Sequence, residues 1–355
     1  MMQISPETQL FIREHSSDDV RVLALQAKKY PDIDMPTAIT QIAGRKVAAE
    51  KIPSWWEIEK IWYPKHLSLE QCSSEITARY KARLLQGDSL TDLTGGFGID
   101  CSFLATGFKS ATYVERQEEL CEIAAHNFPV LNLNHINIKN EDGVTYLQAM
   151  SPVDCLFLDP ARRNEHGGKT VAISDCEPNV AELEELLLQK ANRVMIKLSP
   201  MLDLSLALKE LKQTQEVHIL SVNNECKELL ILLGQTSPTE ISIHCVNLST
   251  KGTQEEQHFV FTREQEQCSE CTYTDSLETY LYEPNASLLK AGAFRSIAAA
   301  YPVRKLHPNS HLYTSDTFIE NFPGRIFRIV NQCSFNKKEV KENLADLKKA
   351  NVTVR

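Results

Sequence analysis

Between about residues 66 and 235 the chain alternates short apolar runs with runs of helical period. The apolar runs are "SLTDLT" (89–94), "SATYVE" (110–115), "INIKNED" (136–142), "VDCLFLDP" (153–160), "RVMIKLSP" (193–200), "VHILSV" (217–222) and "ELLILLG" (228–234). Between them lie "RQEELCEIAAHNF", "NVAELEELLLQKA" and "DLSLALKELKQT", whose apolar residues recur at three- and four-residue steps. This alternation predicts an α/β fold with a parallel sheet covered by helices on both faces. Only "NNECK" separates the last two apolar runs. So short a link suits a hairpin, so the last strand should run antiparallel to its neighbour.

Outside this region the pattern changes. "DVRVLALQAKKY" and "MPTAITQIAGRKVAAEKI" predict N-terminal helices, and "PSWWEIEKIWYP" supplies Trp55, Trp56 and Trp62 as anchors onto the adjoining α/β region. "EISIHCVNL" and "HFVFTRE" read as two further strands, and "QEQCSECTYTD" as a polar break. "RIFRIVNQCSF", "NKKEVKENLADLKKA" and "NVTVR" read as strand, helix, strand. The expected division is a helical segment over 1–65, an α/β domain over 66–265 and a small α+β domain over 276–355, its last part expected beyond the end of this sequence.

Composition adds bounds. Apolar residues make up 42% and charged residues 24% of the 355, both ordinary for a globular chain. The N-terminus has no basic region followed by an apolar stretch, and no apolar run approaches the ~20 residues that cross a bilayer. A soluble cytoplasmic protein, with no membrane association and no evident obligate protein partner, is expected. The ten cysteines lie mostly in apolar runs and read as reduced core thiols. Cys268 and Cys271 form one CxxC, and His307 and His311 one HxxxH, but the gap is long and no second CxxC exists, so no metal is expected. The net charge of −9 makes the whole chain no polycation. From Tyr301 onward, however, basic residues outnumber acidic ones about two to one.

The chemistry concentrates in "LTDLTGGFGIDCSFLA" (90–105), a strand, a glycine turn and a helix start. A phosphate-binding GxxxxGK[ST] loop is excluded, since no Lys-Ser or Lys-Thr follows. A dinucleotide GxGxxG fits poorly, because its third glycine would be Cys101. S-adenosylmethionine carries no phosphate and needs only a turn whose backbone can come close. Asp92, Thr94, Gly95, Gly96 and Gly98 supply that turn, with Asp92 able to offset the ligand's positive charge. Glu115 ends the second strand, where an acid grips a ribose diol through its two oxygens. Asp142 follows the third strand and can accept from an adenine amino group. Asp159 ends the fourth, at the carboxyl edge where ligands sit in such sheets.

Residues 72–235 resemble a class I S-adenosylmethionine-dependent methyltransferase. "DLTGGFGID", "YVERQEELCEIAAHN", "NEDG" and "LDPARR" are similar to motifs I to IV of that superfamily. "SLEQCSSEITARYKA" resembles the segment before motif I in RNA methyltransferases, which implies that Ser73 and Thr77 close over the methionine end. The whole chain resembles uncharacterised bacterial methyltransferases with a THUMP-like C-terminal domain, through "YEPNASLLKAGAF", "LHPNSHLYTSD" and "FPGRIFRIVNQ". The resemblance implies a Rossmann-like sheet ending in an antiparallel hairpin, N-terminal helices and a ferredoxin-like or THUMP-like C-terminal domain. It also implies S-adenosylmethionine as cofactor.

The acceptor is less constrained. Amino-methylating relatives carry D/N-P-P-aromatic after the fourth strand. Asp159 and Pro160 match as catalytic residues, while Ala161 and Arg162 depart. Arg162 and Arg163 can stack on a base or pair a phosphate, and Asn224 in the hairpin turn can meet substrate. RNA, ribosomal or transfer, is the expected substrate, methylated on a base amino group. Lys197, on an apolar strand, supports the alternative of ribose 2′-O-methylation, since Lys81, Asp159, Lys197 and Glu228 resemble a tetrad used for it. A protein or small-molecule acceptor, a non-catalytic RNA-binding protein and a nicotinamide dehydrogenase stay open.

Overall fold

The computed structural model describes residues 4–162, 172–236, 238–250 and 256–345, and the backbone alone at 66, 67 and 162. The expected α/β sheet is present and has nine strands. They are β1 (Ser89–Asp92), β2 (Ser110–Glu115), β3 (Ile136–Asn140), β4 (Val153–Leu158), β5 (Ala191–Leu198), β6 (Thr214–Val222), β7 (Glu225–Gly234), β8 (Ser242–Leu248) and β9 (Glu256–Thr262). Their order across the sheet is β9-β8-β6-β7-β5-β4-β1-β2-β3. The pairs β1–β2, β2–β3, β1–β4 and β4–β5 are parallel, and β7 runs antiparallel to β5. The hairpin read from "NNECK" is therefore real, but its turn is two residues long rather than five. Asn223 and Asn224 take φ of 50° and 65°, the paired left-handed conformations that a two-residue hairpin turn needs and that asparagine tolerates.

The strand order reverses between β1 and β4. From β1 the chain moves outward to β2 and β3, then returns to β4 on the other side. The carboxyl ends of β1 and β4 thus open a crevice at the switch point, where open α/β sheets bind ligands.

The chain forms two compact units, Met1–Gln215 with Leu229–Thr239, and Glu216–Glu228 with Glu240–Arg355. In the first, helices α1 (Pro6–Glu14), α2 (Val20–Leu25) and α3 (Met35–Lys51) enclose Phe11, Leu23, Met35, Ala38 and Ile42. A short α4 (Pro53–Trp56) starts at Pro53, in a first-turn position that proline favours. Helices α5 (His66–Gln71), α6 (Glu75–Ala82), α7 (Ile99–Ala105) and α8 (Glu118–Val130) come next, around β1 and β2. Ala48, Ile52, Trp55, Tyr63, Leu69, Ala78, Phe97, Ile99 and Ile123 share one core, so the N-terminal helices pack directly onto the glycine-turn region. Trp55 meets Phe97 edge-on at 5.2 Å, and Trp62 stacks on His126 at 3.7 Å. Trp56 departs from the anchoring role, standing 42% exposed. Helices α9 (Gly143–Ala149), α10 (Val180–Lys190) and α11 (Leu204–Glu210) complete the crossovers.

In the second unit, the expected polar break contains a helix, α12 (Arg263–Cys268). Thr262 and Gln265 form a reciprocal capping box at its start, which offsets the polar composition. Four short strands, β10 (Tyr280–Pro284), β11 (Arg304–Lys305), β12 (Tyr313–Ser315) and β13 (Gly324–Arg328), form an antiparallel sheet in the order β11-β12-β10-β13. Helices α13 (Ala286–Ala291) and α14 (Phe294–Ala300) lie between its strands in sequence, and Tyr282, Tyr313 and Phe322 are buried there. The final strand reading over 325–335 is too long. Pairing ends at Arg328, and Val330 and Phe335 stand almost fully exposed. A last helix, α15 (Lys337–Asn343), occupies the predicted basic helical stretch, while "NVTVR" lies outside the described residues.

Candidate active site

The glycine turn leaves β1 at Asp92. Thr94 N–H donates to Asp92 Oδ1 at 2.9 Å, and Thr94 Oγ1 accepts from Asp159 N–H at 2.6 Å, tying the ends of β1 and β4 together. Gly95 is required by packing, because a Cβ there would sit 2.2 Å from the Tyr113 ring. Gly96 differs. Its φ is +53°, and a Cβ would meet nothing closer than Thr94 O at 3.8 Å, so the open space lies on the crevice-forming turn itself. Gly98, at φ +86°, is the N-cap of α7.

Glu115 is 8% exposed and holds the turn from below. Its Oε2 accepts from Gly96 N–H at 2.9 Å and its Oε1 from Gln117 N–H at 2.8 Å. Each oxygen is thus fixed in direction and keeps a further lone pair. Asp142 caps α9, its Oδ1 accepting from Val144 N–H and Thr145 N–H.

Asp92 is 1% exposed, and among the described residues its Oδ2 has no hydrogen-bond partner. Burial raises its carboxyl well above the usual range, against the opposing Thr94 hydrogen bond, and the charges of Asp100 and Asp159 raise it further. A buried carboxylate oxygen without a partner is costly. It fits a site completed by a cationic or hydrogen-bonding ligand.

A residue that sequence reasoning passed over organises the other side. Asp100, in the first turn of α7, is buried between two lysines. Lys81 Nζ stands 2.9 Å from its Oδ1, and Lys197 Nζ 3.2 Å from its Oδ2. Ser73 Oγ donates to Asp100 Oδ2 at 2.7 Å and accepts from Lys81 at 2.8 Å and Lys197 at 3.1 Å. Burial opposes ionisation of Asp100, but the two ammonium groups and Ser73 together hold its carboxyl well below the usual range. The available signal was an acid two residues past Gly98, at the start of a helix whose neighbours are apolar.

Lys197 Nζ also stands 2.5 Å from Asp159 Oδ2. The Asp159 side chain is 37% exposed while that of Lys197 is 9% exposed, so the aspartate is the partner that faces outward. Burial raises the Asp159 carboxyl, and the Lys197 charge and hydrogen bond oppose that shift. Pro160, next in the chain, is buried.

The remaining sequence-predicted residues divide between this cluster and structural roles. Ser73 meets the lysine–aspartate cluster, and Thr77 Oγ1 donates to the Ser74 carbonyl at 3.1 Å. The Arg162 backbone pairs with Cys176 in a two-residue ribbon, and Arg163 lies outside the described residues. Glu228 is buried on β7, in the second unit. Asn224, also there, is taken up by structure. Its Oδ1 accepts from Ala286 N–H at 2.8 Å, and its N–H donates to Asn247 at 2.9 Å. Much of the C-terminal basic excess is spent internally. Arg304 pairs with Glu278 and Arg325 with Glu283, and Lys305 is buried with its ammonium on the His307 and Pro308 carbonyls. His311 stacks on Phe294 at 3.7 Å, and His307 Nδ1 accepts from Asn309 N–H.

A family model described as a ferredoxin-like domain matches residues 280–323, the segment that builds the four-stranded sheet up to β13. No curated protein matches the sequence. Among solved structures, a "putative methyltransferase" from Porphyromonas gingivalis W83 is 33% identical, with a TM-score of 0.85 over 99% of this chain and 88% of that one. Shorter proteins align more loosely. An rRNA methylase from Streptococcus thermophilus is 14% identical over 44% of this chain and 94% of its own, at a TM-score of 0.34. A Streptococcus mutans protein of the same description as the first, in complex with SAH, is 13% identical over 45% of this chain and 96% of its own, at 0.33. With a nine-stranded sheet, a glycine turn at its switch point and an end-to-end match at one-third identity, the chain belongs to the methyltransferase family of the Porphyromonas gingivalis protein.

Proposed function

We propose that the chain is an S-adenosylmethionine-dependent methyltransferase that modifies a base amino group of RNA. The observation that carries this reading is the pairing of a glycine turn with two acids at the ends of adjacent strands. Asp92 is buried with a partnerless oxygen, and Asp159 is held outward by Lys197. The residues present fit the cofactor. Gly96 leaves space beside the turn, Asp92 offers an acceptor for a cationic end, and Glu115 keeps free lone pairs on two oriented oxygens. When bound, S-adenosylmethionine supplies an electrophilic methyl group that needs no further activation. Asp159 then accepts a hydrogen bond from the acceptor amine and fixes its orientation, while Lys197, Asp100, Lys81 and Ser73 hold Asp159 in place.

Support for an RNA acceptor comes from Arg162 and Arg163 directly after Asp159-Pro160-Ala161, and from the exposed helix α15 with Lys337, Lys338 and Lys341. The ribose alternative is favoured by one specific observation, the presence of Lys81, Lys197 and Asp159 in one cluster.

The deciding experiment transfers labelled methyl from S-adenosylmethionine to total RNA from a strain lacking this protein, followed by digestion to nucleosides. Label in a base supports the proposal, and label in a ribose selects the alternative. Label absent from RNA, with cofactor binding intact, overturns the RNA reading and directs the search to protein or small-molecule acceptors. Lys197→Met should abolish ribose methylation and mostly spare amino methylation.

A further inference from the structure

The second unit contains a cluster that methyl transfer does not use. Glu216 and His218 lie two apart on β6 and therefore on one face of the sheet. His244 on β8 is the direct register partner of His218 across a parallel pair. One ligand atom from each of Glu216, His218 and His244 lies within 4.8 Å of the other two. Glu216 Oε2 and His218 Nε2 are 3.3 Å apart, close to the ~3.3 Å that separates two ligands on a tetrahedral ion with bonds of about 2.0–2.1 Å.

We infer that Glu216, His218 and His244 form a zinc-binding site. The donor set is two imidazoles and one carboxylate, which suits a borderline divalent ion. The imidazole rings of His218 and His244 stack at 4.2 Å, 18° from parallel, so binding one ion requires the rings to turn out of the stack until both in-plane lone pairs converge. His244 also has a supporting shell on either side. Its Nδ1 is 3.1 Å from His258 Nε2, and its Nε2 is 3.2 Å from Ser242 Oγ. Whichever ring nitrogen takes the ion, the other already has a hydrogen-bonding partner that fixes the tautomer. His258 is itself flanked by Glu256, whose Oε1 is 3.9 Å from His258 Nδ1. His258 is therefore the hydrogen-bonding partner of His244, and Glu256 adds a negative charge beside it without hydrogen bonding to it. All six residues belong to the second unit, and a bound ion would cross-link β6 and β8.

The pattern was hidden from sequence reasoning because the ligands and their supporting groups are spread over 43 positions, from Glu216 to His258, with no CxxC or HxxxH spacing. The CxxC at Cys268 and Cys271, which did have such spacing, is the natural competitor for zinc in a binding assay.

The test uses the full chain, stripped with a chelator and titrated with Zn²⁺ against a chromophoric competitor. One equivalent should bind. The His218→Gln, His244→Gln double variant should bind at least about 100-fold more weakly, and His258→Ala about 10–100-fold more weakly. Cys268→Ser with Cys271→Ser should leave the equivalent in place. Far-UV circular dichroism establishes that each variant is folded. If the double variant does not fold, Glu216→Gln replaces it, with the same direction expected. Cobalt substitution gives a second readout, and its spectrum should lack thiolate charge transfer. No binding by the parent chain, binding unchanged in the histidine and glutamate variants, or binding lost with the two cysteines would each overturn the proposal. Methyl transfer plays no part in these measurements.

Discussion

Lys197 and Asp159 meet at 2.5 Å across neighbouring parallel strands, and the same ammonium reaches Asp100 at 3.2 Å. One lysine therefore links the outward-facing acid to a fully buried one. This relationship sets the expected behaviour of Lys197→Met. Asp100 keeps Lys81, so the loss of stability should fall near the low end for a broken buried pair, about 3 kcal/mol. Urea denaturation measures it. On a base acceptor, kcat should fall by about tenfold or less, equivalent to ~1.4 kcal/mol, because the proposed mechanism uses Asp159 to position the amine and does not use Lys197 as a base.

Asp92→Asn should reveal the cost of the buried acid through its pH dependence. The folded chain holds this carboxyl's pKa above the unfolded value. Well below about pH 4 both states are protonated, and the parent carries no penalty. As pH rises, the unfolded chain ionises first, and stability falls until the folded carboxyl ionises too. The variant escapes this fall. Its unfolding free energy, measured by urea denaturation, should therefore gain on the parent as pH increases from about 4 toward neutrality, by roughly 1.4 kcal/mol for each unit of elevation. Cofactor affinity, read by calorimetry, should decline in the same variant. A constant gap across pH would show that Asp92 is not the titrating group.

Two adjacent glycines should separate folding from binding. Gly95→Ala drives a methyl into the Tyr113 ring, which is buried and cannot retreat, so a loss of more than about 3 kcal/mol is expected. Gly96→Ala meets open space but must hold φ +53°, at a cost of about 1–2 kcal/mol. The second variant should fold and bind S-adenosylmethionine at least tenfold more weakly. Intact binding by Gly96→Ala would place the cofactor elsewhere.

Glu115→Ala removes acceptors from Gly96 N–H and Gln117 N–H at once. A stability loss of about 1–3 kcal/mol should accompany reduced cofactor affinity. Glu115→Gln separates the two effects, since its single carbonyl oxygen can keep one backbone bond while the ability to accept from both ribose hydroxyls is lost. Unchanged calorimetric affinity in both variants would remove Glu115 from the ribose site.

The parallel sheet was legible because its central strands are apolar runs and the crossovers keep a helical period. The hairpin was legible because five residues cannot make a crossover, although its true turn, Asn223-Asn224, was hidden by strand residues as polar as Glu225 and Lys227. Asp92 and the glycine turn stand out in the sequence through local spacing. Asp100 was not, because its meaning depends on Lys81 and Lys197, which come from a helix and a strand far apart in sequence. The partners of three basic residues in the tail were hidden for the same reason. Arg304, Lys305 and Arg325 look free in one dimension and are spent on Glu278, backbone carbonyls and Glu283 in three. The helix α12 was missed because its stability comes from a capping box rather than an apolar face.

The cluster around Asp100 has a further consequence for how this protein can change. Two lysines and two aspartates balance to zero charge, so a single replacement unbalances the cluster, and loss of Asp100 strands two buried lysines, whereas replacing all four by apolar residues of similar volume leaves no charge unpaired. Such a quadruple variant is expected to be as stable as the parent or more so, and inactive. The cluster is thus a place where selection for activity and selection for stability pull in opposite directions, and where intermediate sequences are worse than either endpoint. A lineage that lost the activity would have to cross that barrier to discard the charges, so the cluster would tend to outlast the activity.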